Sequence, residues 1–165
     1  THNVSSAASD VYKRQEDHYP IYLDGPNTGQ GTTVYRQLEG ENGAAFPDFA
    51  GVAGDWLEAA EYVCLFPNVL LGVHRDHAFA IVLEPLAPDR TREHIALYYA
   101  APQTDEPLRQ KNAAMWRTVF EEDIGVVEGM QRGRQGGLFD GGRFAPGMDG
   151  PVHVFHRWIA DQLSA

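Results

Sequence analysis

A chain of 165 residues with 43% hydrophobic and 11% aromatic side chains is long enough for one domain with its own core, which excludes a disordered chain. A formal charge of −10 and a pI near 5.0 exclude the clustered basic surface that a nucleic-acid partner requires. The single cysteine, Cys64, excludes an internal disulfide or a cysteine-held metal cage, and no apolar run reaches the roughly 18 residues that cross a bilayer, so a cytoplasmic protein with no membrane partner is expected.

Residues 1–15, THNVSSAASDVYKRQ, show no period of 2 or 3.6 and no initiator methionine. SSAASDVYKRQ resembles an adaptor-derived scar at the ends of reading frames assembled from environmental DNA. The stretch is therefore read as a non-native or disordered tail, the chain as a truncated gene product, and residues 16–165 as the folded part. LDGPNTGQG reads as a loop leading into a strand over TTVYRQLE, whose β-branched and aromatic residues suit a sheet. Residues 40–54 are loop-like, and Asp55 to Tyr62 suits a helical turn.

From Glu61 to Tyr99 three apolar runs are parted by short polar turns, the pattern of an antiparallel meander. Tyr62 to Gly72 reads as one strand with a bulge or edge feature at Pro67-Asn68, since proline cannot donate to a ladder. His74 to His77 makes a hairpin turn, His77 to Leu86 returns, Ala87 to Thr91 turns again, and Arg92 to Ala101 closes the set. After a break at Pro102 to Pro107, Leu108 to Arg134 reads as a long helix, with Gly125 marking close packing or a kink. Gln135 to Gly150 is a glycine-rich connection. Pro151 to Leu163 reads as a terminal helix with Val154, Phe155, Trp158 and Ile159 as its apolar stripe.

Within the long helix, at about 100° per residue, Trp116, Val119, Phe120, Val126, Val127 and Met130 fall within about 60° of Asp123. Asp123 is thus expected to face the interior, whereas Glu121 and Glu128 point away and Glu122 sits at the stripe's edge. A buried carboxylate costs several kcal/mol unless a cation, a metal or several donors compensate it, and an Arg or Tyr from elsewhere in the fold would serve as well as a ligand site. A meander followed by such a helix implies an α+β domain with the helix across the sheet. Asp123 would look into the cavity between them, with Trp116, Val119, Phe120 and Val127 as candidate pocket residues. His74 and His77 form a rival two-histidine pair, although histidines in a polar turn are expected to be exposed; His153 and His156 read as packing around the terminal helix. No G-x-S-x-G elbow, Walker loop, H-E-x-x-H or G-x-G-x-x-G occurs.

Three ordered blocks, FPNVLLGVHRDHAFAIVLEPLAPDRTREHIALYY, VFEEDIGVVEGMQRG and DGGRFAPGMDGPVHVFHRW, make the chain from about Glu16 to Ala160 resemble the C-terminal part of the catalytic domain of Rieske non-haem iron oxygenase large (alpha) subunits. The likeness is to the ring-hydroxylating and quaternary-ammonium branches. It implies a helix-grip (START-like) fold and a mononuclear Fe(II) held by two histidines and one carboxylate, a set that leaves adjacent positions open for O₂ and substrate. Asp123 matches the carboxylate ligand. It further implies a small organic substrate, a ferredoxin or flavin reductase as electron donor, a homotrimer, and a [2Fe–2S] Rieske cluster in an upstream part. The chain departs from the family by lacking the C-x-H and C-x-x-H cluster motif and the upstream histidine pair, and by carrying Gly136-Gly137 where similar sequences have Ser-Pro. On these grounds the fragment alone is expected to be inactive. Three readings stay open: an oxygenase fragment, a helix-grip protein that only binds a small ligand, and a metal-independent enzyme using Asp123 as general base.

Overall fold

A computed structural model describes residues 21–164 apart from positions 25, 146 and 148; the expected tail over residues 1–15 lies outside the described residues. The sheet has six strands in sequence order, each antiparallel to the next: β1 (Ile21–Asp24), β2 (Asn27–Thr32), β3 (Ala60–Leu65), β4 (Val69–His74), β5 (His77–Ala87) and β6 (Arg90–Tyr99). Three helices follow, α1 (Glu106–Glu122), α2 (Ile124–Gln135) and α3 (Gly150–Ser164). This is an α+β architecture of the helix-grip kind, with α1 packed over the meander. Among the described residues no helix is long and apolar enough to cross a membrane.

The sheet differs from the sequence reading in three places. LDGPNTGQG is not a loop: Asp24 faces Asn27 across a tight hairpin, and β2 pairs along β3 from Asn27↔Leu65 to Thr32↔Ala60. TTVYRQLE leaves the sheet at Thr32 instead of forming a strand, because its groups are used elsewhere; Tyr35 N–H donates to the Glu58 carbonyl at 2.7 Å, and its hydroxyl reaches Asp76. The stretch Tyr62 to Gly72 is two strands, with Leu65 opposite Val69. Pro67 interrupts the ladder there, and Asn68 pins the reversal to β5, its amide donating to the Leu83 carbonyl and its own carbonyl accepting from Leu83 N–H, both at 2.9 Å. The helical turn expected from Asp55 is a short 3₁₀ segment, Gly54–Leu57.

The core lies between the sheet and α1. Period-2 alternation turns Phe79 and Ile81 of β5 inward, and they pack on Trp116, with Tyr62, Leu70, Leu83, Leu97 and Phe120 around them. On α1, Leu108, Asn112 and Trp116 are buried at four-residue spacing. The helix starts where the Asp105 carboxylate accepts from Leu108 N–H at 2.9 Å, with proline in the first turn. Gly72 faces Phe79 across the ladder, and a Cβ there would lie 2.2 Å from the Phe79 ring.

The long helix predicted over Leu108 to Arg134 is bent at Asp123, an αR residue that closes α1 and opens α2 two residues before the kink expected at Gly125. Gly125 is not a close-packing position, since a Cβ there would meet nothing within 4 Å. The stripe of α3 is half-buried, with Phe155 and Trp158 against Phe66 at ring-centroid distances of 4.9 and 5.5 Å.

Candidate functional site

The β4–β5 turn holds a buried polar cluster. His74 is 2% exposed, and Asp76 and His77 are fully buried, so the expected exposed histidine turn is corrected. The turn lies under α1 and the segment from Tyr35 to Phe46, and its polar groups serve one another. His77 Nδ1 lies 2.7 Å from Asp76 Oδ1, which also accepts from the Tyr35 hydroxyl at 2.9 Å. On the other side of the ring, Trp116 Nε1–H donates to His77 Nε2 at 2.8 Å. An indole N–H can only donate, so Nε2 presents a lone pair and Nδ1 carries the proton given to Asp76. Asn112 stands 3.5 Å from the same Nε2 and accepts from the Tyr99 hydroxyl at 3.1 Å. Between His74 and Asp76, Arg75 turns outward into a bidentate pair with Asp48, at 2.6 and 2.5 Å.

The two imidazoles stack with centroids 4.4 Å apart and an interplanar angle of 1°. His74 Nε2 is 3.3 Å from the Tyr62 hydroxyl, whereas His74 Nδ1 and Asp76 Oδ2 have no hydrogen-bond partner among the described residues. Burial pulls the His74 pKa down to about 3, so the ring is neutral at ordinary pH. Burial raises the Tyr35 hydroxyl, with the Asp76 charge acting in the same sense. Burial alone would also raise Asp76, but the hydrogen bonds it accepts from His77 and the Tyr35 hydroxyl hold it below the ordinary carboxylate value. The signal available in the sequence was the alternation of β5, which puts His77 on the same face as Phe79 and Ile81.

A cleft of about 600 Å³ opens beside this cluster. Tyr35, Tyr62, His74, Trp116 and Val119 line it, and the exposed side chains of Arg36, Glu39 and Lys111 stand along it. Lys111 Nζ donates to the Glu39 backbone carbonyl at 2.7 Å. On the other flank of Trp116 a groove of about 470 Å³ is lined by Leu97, Phe120 and Ile124 among others. Of the four candidate pocket residues, Trp116 and Val119 therefore line the cleft, and Trp116 and Phe120 line the groove. Val127 lines neither and is 61% exposed.

Asp123 does not face the interior. It is exposed, as are Val126, Val127 and Met130, because the bend at Asp123 ends the stretch of helix that lies on the sheet and α2 buries no residue. The Asp123 side chain makes no hydrogen bond or ion pair with any described residue. Among the described residues no group of three His, Cys, Asp or Glu side chains converges as a metal site requires. The residues described here thus do not by themselves fit a mononuclear iron. The rival pairing of His74 and His77 with Asp123 is also corrected: the histidines are committed to the core, with both nitrogens of His77 occupied. His153 and His156 pack against Phe144, at 4.9 and 5.4 Å.

Choline monooxygenase, chloroplastic, of Amaranthus tricolor is 24% identical over 106 residues, which cover 64% of this chain and 24% of the relative. The chain thus spans about a quarter of the length of that curated relative. The family model described as ring hydroxylating alpha subunit (catalytic domain) matches residues 1–165. With the helix-grip sheet and its cleft in place, the chain belongs to the catalytic-domain family of ring-hydroxylating oxygenase alpha subunits.

Proposed function

We propose that this chain is the C-terminal portion of the catalytic domain of a Rieske-type oxygenase that oxidises a small organic substrate with O₂ at a mononuclear Fe(II). Asp123 would supply the carboxylate ligand. The two histidines and a [2Fe–2S] cluster would come from outside the residues described here, with a ferredoxin or flavin reductase as electron donor and a homotrimer as the assembly. A cytoplasmic setting is supported by the lone thiol of Cys64. The observation that carries the reading is an α1 helix that walls a small-molecule-sized cleft with Trp116 and Val119 and ends at an unpaired carboxylate. The metal, when bound, supplies O₂ activation. The chain's own residues shape the chamber, exclude water with Trp116 and Tyr62, and present a neutral hydrogen-bonding ring, His74, at its floor. Aromatic acids and quaternary ammonium compounds are the substrate classes proposed for the parent enzyme.

The test is turnover of the complete protein with a reductase. Substrate-dependent O₂ uptake supports the reading, and its absence with both substrate classes overturns it. The 165-residue chain by itself should hold iron weakly and turn nothing over, so about one tightly held iron per chain would contradict the assignment of the missing ligands. A second reading, a helix-grip protein that only binds a small ligand, is favoured by the presence of a cleft without a converging metal-ligand set among the described residues. Ligand binding with no iron in the complete protein would support it.

A further inference from the structure

Trp116, His77 and Asp76 form one hydrogen-bonded row, and its charge is unbalanced. Trp116 Nε1–H donates to His77 Nε2 at 2.8 Å, and His77 Nδ1–H donates to Asp76 Oδ1 at 2.7 Å. The Asp76 carboxylate is fully buried. Its chain neighbour Arg75 is held by Asp48 instead, Tyr35 brings a neutral hydroxyl, and Oδ2 has no hydrogen-bond partner among the described residues. With Nε2 occupied by the indole N–H, the row as a whole is an anion in the core. Its outer end is open to small molecules, because Trp116 lines both the cleft and the groove on its other flank. Of the three tryptophans, Trp116 alone donates its N–H to a basic ring among the described residues.

We infer that Trp116 is an electron-donating site, which gives one electron to a peroxyl-class radical in the cleft while its indole proton passes to His77. The electron leaves the indole for the radical, which takes a proton from water and becomes a hydroperoxide. The indole N–H bond breaks and its proton bonds to His77 Nε2, a base within hydrogen-bond reach. A neutral indolyl radical, an imidazolium and the Asp76 carboxylate remain. Without the proton shift, electron loss would leave a radical cation in a buried site, which is costly. With the shift, the positive charge sits on a ring 2.7 Å from a carboxylate already in place, and the anionic row becomes neutral. His74, stacked on His77 at 4.4 Å, is uncharged and does not oppose the new imidazolium. A one-electron donor of the thiol or ascorbate class in the groove restores the indole, the proton returning from Nε2. These steps involve only side chains of this chain, so they stand apart from the oxygenase reading.

In the 165-residue chain, Trp56→Phe with Trp158→Phe leaves Trp116 as the sole indole for transient absorption after flash oxidation by photogenerated tris(bipyridine)ruthenium(III). Near-UV circular dichroism checks that the fold is kept. The neutral indolyl radical should appear as the oxidant is consumed, at a rate independent of buffer concentration. His77→Gln keeps a hydrogen-bond acceptor but no base, so the radical-cation spectrum should replace it and decay slowly. A radical cation before that change, a neutral radical formed equally fast with His77→Gln, or no indolyl radical at all would each overturn the proposal. Peroxyl radicals from a decomposing azo initiator test the same site in the chain with all three tryptophans. By mass spectrometry, Met115, which also lines the cleft, should oxidise severalfold faster in Trp116→Phe and in His77→Gln than in the parent. Met130, exposed on α2, should oxidise at one rate in all three. Equal Met115 oxidation throughout would overturn the proposal and leave the row a structural clamp.

Discussion

Trp116→Phe isolates the hydrogen bond that ties the β4–β5 turn to α1. Phenylalanine keeps most of the apolar contact with Phe79 and Phe120, whose ring centroids lie 4.7 and 5.5 Å from the indole, but it removes the N–H that reaches His77 Nε2 at 2.8 Å. The nearest remaining donor is the Asn112 amide at 3.5 Å, too long to replace it. A buried acceptor left without its partner costs about 1–3 kcal/mol, and the site is fully buried, so a loss of about 2 kcal/mol is expected. For a domain of this size that lowers Tm by about 4–8 °C. Urea unfolding followed by far-UV circular dichroism measures the loss. A double-mutant cycle with His77→Ala assigns it, with a coupling of about 1 kcal/mol or more expected for groups in direct contact. If Trp116→Phe is as damaging in the His77→Ala background as in the parent, the bond contributes nothing and the clamp between turn and helix is refuted.

Lowering the pH should destabilise the fold through His74. Its folded pKa, about 3, lies below the ordinary histidine value of 6.5, so the unfolded chain binds the extra proton: the stabilisation is whole above pH 6.5 and is lost as pH falls from there toward 3, at up to about 1.4 kcal/mol per unit. His74→Phe should flatten that part of the stability curve, and an unchanged slope would show that the ring is not held neutral. Gly72→Ala should cost about 1–3 kcal/mol by overpacking, since its Cβ would fall 2.2 Å from the Phe79 ring; adding Phe79→Leu should recover part of the loss, and a single variant within 0.5 kcal/mol of the parent in urea unfolding would contradict the contact. In the complete protein, Asp123→Ala should lower iron content at least 10–100-fold, the range found even for groups one step removed from a metal, while Glu122→Gln should change it far less. Metal analysis of both variants checks this, and the reverse order would make Glu122 the ligand.

The meander was legible in the sequence because its determinants are local. Apolar alternation from His77 to Leu86 and short polar turns specify antiparallel neighbours, whereas α1 starts at Glu106, two residues before the start read at Leu108, because Asp105 caps it and Pro107 fits its first turn. Trp116 and Val119 line the cleft from neighbouring turns of α1, where helical phase puts them on one side of the helix. What helical phase cannot state is how far the sheet extends beneath the helix. The same arithmetic that placed Trp116 correctly placed Asp123 and Val127 inside, and the tertiary structure leaves both exposed because the helix bends at Asp123 and α2 buries none of its residues. The strand expected over TTVYRQLE failed in the opposite way: its β propensity is real, but the register of β2 on β3 ends at Thr32, and Tyr35 is drawn to Asp76. His74 and His77 read as surface residues because polarity argues for water. Only long-range partners, Tyr35, Tyr62, Asn112 and Trp116, make their burial affordable, and no local pattern in the chain specifies that those four side chains meet one turn.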